Sequence, residues 1–392
     1  MNQRERLRAA LAALERDHLR RMRRDNERPC SPRVCIDGRE FVAFCSNDYL
    51  GLAGEPELAE ALAEGAHRWG VGSGASHIVS GHYTVQHELE RRLANFVGRE
   101  RALVFSTGFM ANSGIVPALA GRGDAIFADK LNHASLIDGV LLSRAASHRY
   151  PHLDMAALAS QLRASSAAVK LIVSDAVFSM DGDLAPLAEL MALAERFDAW
   201  LLIDDAHGFG VLGPQGRGSL AAAGLPAAAR EGWRLIQVGT LSKAAGVSGA
   251  FVAGEADVIE WLMQKTRSYI FTTGSPPALA HALLTSLDLI EAGDARRAHL
   301  AMLIARLGGG LAQKRWQLLP SRTPIQPLVI GDNAAALAVG EALMQAGLWV
   351  PAIRPPTVPA GSARLRISLS AAHTPTDVDR LVAALNRLEE TW

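Results

Sequence analysis

The chain has 392 residues, of which 49% are hydrophobic and only 6% aromatic, and its 40 lysines and arginines are balanced by 40 aspartates and glutamates. That length fits two domains or one large domain with an appendage, and the apolar fraction supports a sizeable buried core. Zero net charge and few aromatics argue against a nucleic-acid groove or a surface built for an acidic partner, which leaves small-molecule chemistry.

Residues 4–28, RERLRAALAALERDHLRRMRRDNER, place Leu7, Leu11 and Leu14 on one helical face with arginines on the others. The interspersed Glu5, Glu15 and Asp17 argue against a transit peptide, a membrane-surface helix and a nucleic-acid helix. The expectation is a solvated helix laid against the body of the protein. Cys30, Cys35 and Cys45 are odd in number, lack CxxC spacing and have no histidine placed to complete a zinc site, so they read as reduced thiols of a cytosolic protein. No apolar run has the length of a membrane span, and no apolar leader with a cleavage site opens the chain, so neither secretion nor membrane insertion is expected.

From about residue 100, short apolar runs alternate with helix-period segments: ALVF (102–105), AIFA (125–128), VKLIV (169–173), WLLI (200–203), RLIQV (234–238) and AFVA (250–253). Such alternation predicts an α/β fold, a mostly parallel sheet covered by helices on both faces. The expected organisation is an N-terminal helix and short β segment over residues 1–44, a large α/β domain over 45–290, and a smaller α+β C-terminal domain over 291–392. In the last, residues 325–330, 348–353 and 364–369 are strand candidates.

In an open parallel sheet, ligands lie beyond the carboxyl ends of the strands. After Phe105 comes Ser106-Thr107-Gly108-Phe109 and then a helical pattern, a turn whose helix N-terminus suits a phosphate. After Ile203 come Asp204 and, three residues on, His207; after the 234–238 run comes GTLSKAAGVSGA, in which Lys243 stands among Gly, Ser, Thr and Ala. A lysine amine condenses with an aldehyde, a carboxylate holds a pyridine nitrogen protonated, and hydroxyls and amides hold a phosphate. Together these describe a site for pyridoxal 5′-phosphate. Small buried surroundings lower an amine's pKa and free its lone pair for such chemistry.

Other readings weigh less. Gly208-Phe-Gly210-Val-Leu-Gly213 spells GxGxxG, but Pro214, Gly216 and Gly218 forbid the helix that a dinucleotide fingerprint needs. A catalytically silent scaffold would lack the lysine. A metal enzyme is disfavoured because His77, His82 and His87, spaced by five, do not stack on one helical face, and Asp181-Gly-Asp183 reads as a turn. No metal is expected.

The stretches FCSNDYLGLA, GSGASHIVSGHYTVQHELE, FSTGFMANSG, DKLNHASLIDG, DAVFSMDGDLAPL, IDDAHGFGVLGPQGRG, GTLSKAAGVSGA and AIRPPTVPAGSARLRISLSAAHT span almost the whole chain. In their order and spacing the sequence resembles the α-oxoamine synthases, a fold-type I family that uses pyridoxal phosphate. The resemblance implies that Lys243 carries the cofactor and removes the amino acid's Cα proton, and that Asp204 pairs with the ring nitrogen. It implies that His207 and Ser179 bond the phenolic oxygen and that His133 stacks on the ring. Gly108, Phe109 and Thr240 would cradle the phosphate, joined by a partner threonine, Thr272 or Thr273, in a homodimer with shared active sites. Asn47 and Arg366 match positions for the substrate carboxylate; Thr357 and Arg21, or Arg20 beside it, match positions for the acyl substrate. The implied reaction is a decarboxylating condensation, and RPPTVPAG favours L-alanine with a pimeloyl thioester, on coenzyme A or acyl carrier protein. Family members that use glycine or serine with other thioesters are the alternative. Ala75, His77 and Gly274 depart from the family's usual residues, which bears on chain length more than on chemistry.

Overall fold

Every apolar run singled out between residues 102 and 253 is a strand of one seven-stranded sheet: β3 (Arg101–Phe105), β4 (Ala125–Asp129), β6 (Lys170–Asp175), β7 (Trp200–Asp204), β8 (Leu235–Thr240) and β9 (Ala250–Gly254), joined by β5 (Ala146–Tyr150). The computed structural model describes residues 1–225, 232, 234–312 and 314–391. The strand order is β3-β9-β8-β7-β6-β4-β5, and β9 runs antiparallel to both its neighbours while β8, β7, β6, β4 and β5 pair in parallel. The edge strand β5 has no apolar run because four of its five residues, in ASHRY, face solvent.

The runs are continuously apolar because both faces of the sheet are covered. Leu171, Val173 and Leu202 lie in one core cluster with Ala111, Ile115, Leu136 and Val140 of helices α4 (Gly108–Leu119) and α5 (Ala134–Ser143). Ile172, Leu201 and Ile203, one residue out of phase, lie in a second cluster with Leu158 and Leu162 of α6 (Met155–Ala164) and Leu187 and Leu190 of α7 (Leu187–Arg196). Helices α4 and α5 approach closely at Gly139, where a Cβ would sit 2.7 Å from the Asn112 carbonyl oxygen.

Two compact units are present. The sheet and its helices belong to one, Leu50–Ser179 with Asp183–Arg297. The other comprises Met1–Tyr49, Met180–Gly182 and Ala298–Trp392. In it, β1 (Arg33–Ile36) and β2 (Arg39–Ala43) form a hairpin over an Asp37-Gly38 turn with both φ positive, the geometry for which Asp-Gly is favoured. A four-stranded antiparallel sheet, β10 (Gln317–Leu318), β11 (Ile325–Gly331), β14 (Ala363–Ser368) and β13 (Ala352–Ile353), lies in the same unit. The run 348–353, expected as one strand, is two: β12 (Leu348–Trp349) pairs with β2, and β13 pairs with β14. Pro351 lies between them and has no N–H to continue a ladder.

The N-terminal helix α1 (Gln3–Arg16) forms with an Asn2–Glu5 capping box, but it is not laid against the body as expected: none of its residues is buried, and Leu7 is 67% exposed. The three cysteines are free. Among the described residues no helix is long and apolar enough to cross a membrane.

One charged clamp secures the loops at the carboxyl ends of β4 and β5. His152 Nδ1 lies 3.0 Å from the buried Asp129 carboxylate and Nε2 lies 2.8 Å from Asp183. Burial opposes a charge on this imidazole, but the two carboxylates more than offset it and push its pKa up to about 10. An unfolded histidine titrates near 6.5. Folded His152 therefore keeps its proton to higher pH, so its contribution is full below about pH 6.5 and is lost as pH rises through about 10. Urea unfolding of wild type and His152→Gln across this window should show a stability gap that narrows with rising pH; a constant gap would contradict the clamp.

Candidate active site

The strand ends deliver the chemistry. Strands β6 and β7 are paired so that Asp175 sits opposite Asp204, both buried at the final positions of their strands. Asp204 is fixed by two donors: the Asn112 Nδ2 at 2.6 Å to Oδ2 and the Ala206 N–H at 2.9 Å to Oδ1. The chain then turns, and His207 is 5% exposed. From the neighbouring strand β8 the chain passes through Thr240 and Ser242, whose hydroxyls lie 2.9 Å apart, to Lys243. Lys243 Nζ lies 2.8 Å from His207 Nε2, a hydrogen bond whose donor depends on which nitrogen holds the proton.

Opposite stands the N-terminus of α4. Thr107 caps it, its Oγ1 accepting from the Met110 N–H at 3.1 Å, while the Gly108 and Phe109 N–H groups precede the first intrahelical acceptor. A Cβ at Gly108 would meet nothing nearer than 3.9 Å, so the approach to these amides is open. His133 caps α5: its N–H donates to Asp175 Oδ2 at 2.6 Å, and its Nδ1 accepts from the Ser135 N–H at 3.3 Å and lies 2.7 Å from the Ser135 hydroxyl. Burial holds the His133 pKa below the ordinary imidazole range; Asp204 opposes that shift and Lys243 reinforces it. A neutral ring suits stacking against a flat ligand. Burial first, and the adjacent Asp204 second, raise the Asp175 carboxyl well above its usual value.

Gly108, Phe109, His133, Asp204, His207, Thr240 and Lys243 all line one cavity of about 240 Å³. Ser179, half-buried in the turn after β6, and Thr272 and Thr273, in the stretch after Ile270, do not line it. Sequence reasoning missed Asn112, Ser135 and Asp175, which do. Asp175 ends an apolar strand just as Asp204 does, and that signal was available.

In the other unit, the buried Arg366 on β14 donates from Nη1 to Ser368 Oγ at 2.7 Å and to Asn47 Oδ1 at 3.2 Å. Arg21 and Thr357 line a separate cleft of about 280 Å³ together with Arg354. Arg20 turns away to Glu15, 2.7 Å distant. Arg354, missed although it stands in the RPPTVP stretch, has its pKa lowered by burial and by the neighbouring Arg21 charge. Two positive groups in one cleft suit an anion.

The three histidines do not share a helical face, as their spacing implies. Only His87 lies on a helix, α3 (Thr84–Val97); His77 and His82 precede it in a loop that folds back, bringing their Nδ1 atoms to 3.0 Å.

The sequence matches the family model for aminotransferase class I and II over residues 39–385. It is 71% identical to the 8-amino-7-oxononanoate synthase of Azoarcus sp. (strain BH72), over 98% of this chain and 97% of that one. Among solved structures, serine palmitoyltransferase of Sphingomonas wittichii superposes with a TM-score of 0.92 at 33% identity, covering 98% of this chain and 97% of that one. A serine palmitoyltransferase variant from S. paucimobilis with bound PLP and myriocin gives 0.92 at 31% identity, covering 100% and 99%.

The residues present fit pyridoxal phosphate: an amine, an anchored carboxylate and a helix N-terminus face one cavity, and the buried Asn112 Oδ1 has no hydrogen-bond partner there. Replacing Asn112 by alanine removes a donor to a carboxylate, a bond worth about 1.5–3 kcal/mol. Titrating the apo variant with pyridoxal phosphate by absorbance should show affinity about tenfold or more below wild type; unchanged affinity would mean that Asn112 does not position Asp204.

Proposed function

The chain belongs to the aminotransferase class I and II family, and we propose that it condenses L-alanine with a pimeloyl thioester, releasing carbon dioxide and free thiol and forming 8-amino-7-oxononanoate for biotin synthesis. The observation that carries the chemistry is the 2.8 Å contact of Lys243 Nζ with His207 Nε2 in a cavity that Asp204 also lines. Identity to synthases of this name, about twice that to the serine-using enzymes, carries the choice of substrates. The acyl donor is a coenzyme A or acyl carrier protein thioester, and the proposed compartment is the cytosol.

When bound, pyridoxal phosphate supplies an aldehyde that captures amines and a ring that accepts the electron pair left at the amino acid's Cα. Asp204 would hold its ring nitrogen, His207 and Ser179 its phenolic oxygen, and His133 its face. The Gly108 and Phe109 amides and the Thr240 hydroxyl would hold its phosphate, with the partner subunit's Thr273. Lys243 Nζ moves the proton at the Cα of alanine, and His207 Nε2, within hydrogen-bond distance, exchanges protons with that amine. Arg366 takes the substrate carboxylate; its planar fork, braced by Ser368 and Asn47, meets carboxylates bidentately. Arg21 and Thr357 take the acyl substrate, whose far carboxylate matches the positive cleft lined by Arg21 and Arg354.

A homodimer is part of the proposal. Val71, Val79 and Phe271 are 81%, 78% and 71% exposed, large apolar side chains that a second copy would cover. Light scattering should return twice the chain mass.

Thiol release from pimeloyl, succinyl, acetyl and palmitoyl thioesters, each with alanine, glycine or serine, tests the assignment. Alanine with pimeloyl should give the highest kcat/KM; glycine with a short acyl thioester overtaking it would contradict the substrates while sparing the chemistry. Lys243→Ala should lower kcat by about 10²-fold or more. Arg21→Ala should raise KM for the pimeloyl thioester and leave KM for alanine unchanged, whereas Arg20→Ala should change neither; equal effects of the two would contradict the placement of the acyl chain.

A further inference from the structure

We propose that His82, His87 and Glu90 form a binding site for one divalent transition-metal ion such as zinc, with His77 orienting His82. One ligand atom from each of the three residues lies within 4.8 Å of the others, and none of them lines the cavity described above. His87 and Glu90 are three residues apart on α3 and share a face of it. His82, just before the helix, folds over that face and sets its Nε2 3.9 Å from Glu90 Oε2. Two imidazoles and a carboxylate suit zinc and its first-row neighbours, whereas magnesium and calcium prefer oxygen alone.

The supporting contacts are those a ligand set needs. Glu90 is buried, and its other oxygen, Oε1, accepts the Val104 N–H at 2.9 Å, so the carboxylate is fixed with Oε2 turned to the histidines. The His77 and His82 Nδ1 atoms are 3.0 Å apart. A proton on His82 Nδ1, donated to His77, leaves the His82 Nε2 lone pair facing Glu90, the tautomer that ligation requires. His77 is in turn held by stacking on Tyr269, with ring centroids 4.9 Å apart and planes 7° from parallel. In that state the Nε2 lone pair and Glu90 Oε2, 3.9 Å apart, can both serve one cation.

Ligand bonds of about 2.0–2.2 Å in a tetrahedron put ligand atoms roughly 3.3 Å apart, so closure takes a shift of about an ångström. The exposed ring of His87 can supply it by side-chain rotation. Water completes the coordination, and the ion ties the loop that carries His77 and His82 to α3.

The test uses holoenzyme without a polyhistidine tag, stripped by chelator, dialysed and titrated with cobalt(II) and then zinc. One cobalt per chain with the visible d–d bands of a tetrahedral site, displaced by zinc, is expected. His82→Ala and His87→Ala should each remove the bands and weaken binding by about tenfold or more, and His77→Ala should weaken binding while keeping the stoichiometry. His87 is exposed, so its variant should retain the circular dichroism of the wild type and separate ligand loss from misfolding. Absence of saturable one-to-one binding, or binding that survives both His82→Ala and His87→Ala unchanged, would overturn the proposal.

Discussion

The parallel pairing of β6, β7 and β8 is the constraint on which the site depends. Parallel neighbours end on the same side, so Asp175, Asp204 and the segment leading to Lys243 emerge together, at spacings set by the sheet. The amine of Lys243 and the imidazole of His207, each three residues beyond the end of its strand, then meet. A packed sheet with both faces buried holds such groups more tightly than flexible loops can.

That arrangement also explains why the polar groups tolerate burial. Asp204 loses water but gains two donors, and Asp175 gains the His133 N–H. Both carboxylates are thus answered by donors from α4, from the cap of α5 and from the turn after β7. Among the described residues lining the cavity, Asn112 Oδ1 is the buried side-chain atom without a partner. The proposed contacts to substrate fall on different groups: the guanidinium of Arg366 braced on β14 and the neighbouring charges of Arg21 and Arg354.

Much of this was legible in the sequence because the informative residues directly follow apolar runs. Lys243, Asp204, Thr240 and Gly108 stand where strand-end reasoning looks. Asn112 and Ser135 were not legible that way: they lie within α4 and α5, and which helical face meets the site is decided by tertiary packing at Gly139. Strand β5 escaped because an edge strand with four solvent-facing residues carries no apolar signal. The proximity of His77 and His82 was not legible from spacing, because a folded-back loop and not a helix brings the two rings together. The stripe of Leu7, Leu11 and Leu14 predicted a helix but not its surroundings, which amphipathicity alone does not specify.

The most direct measurement of the central claim is to reduce the holoenzyme with borohydride and map, by peptide mass, the side chain that carries the pyridoxyl group. The label is expected on Lys243 alone. A label on any other residue, or none, would contradict it.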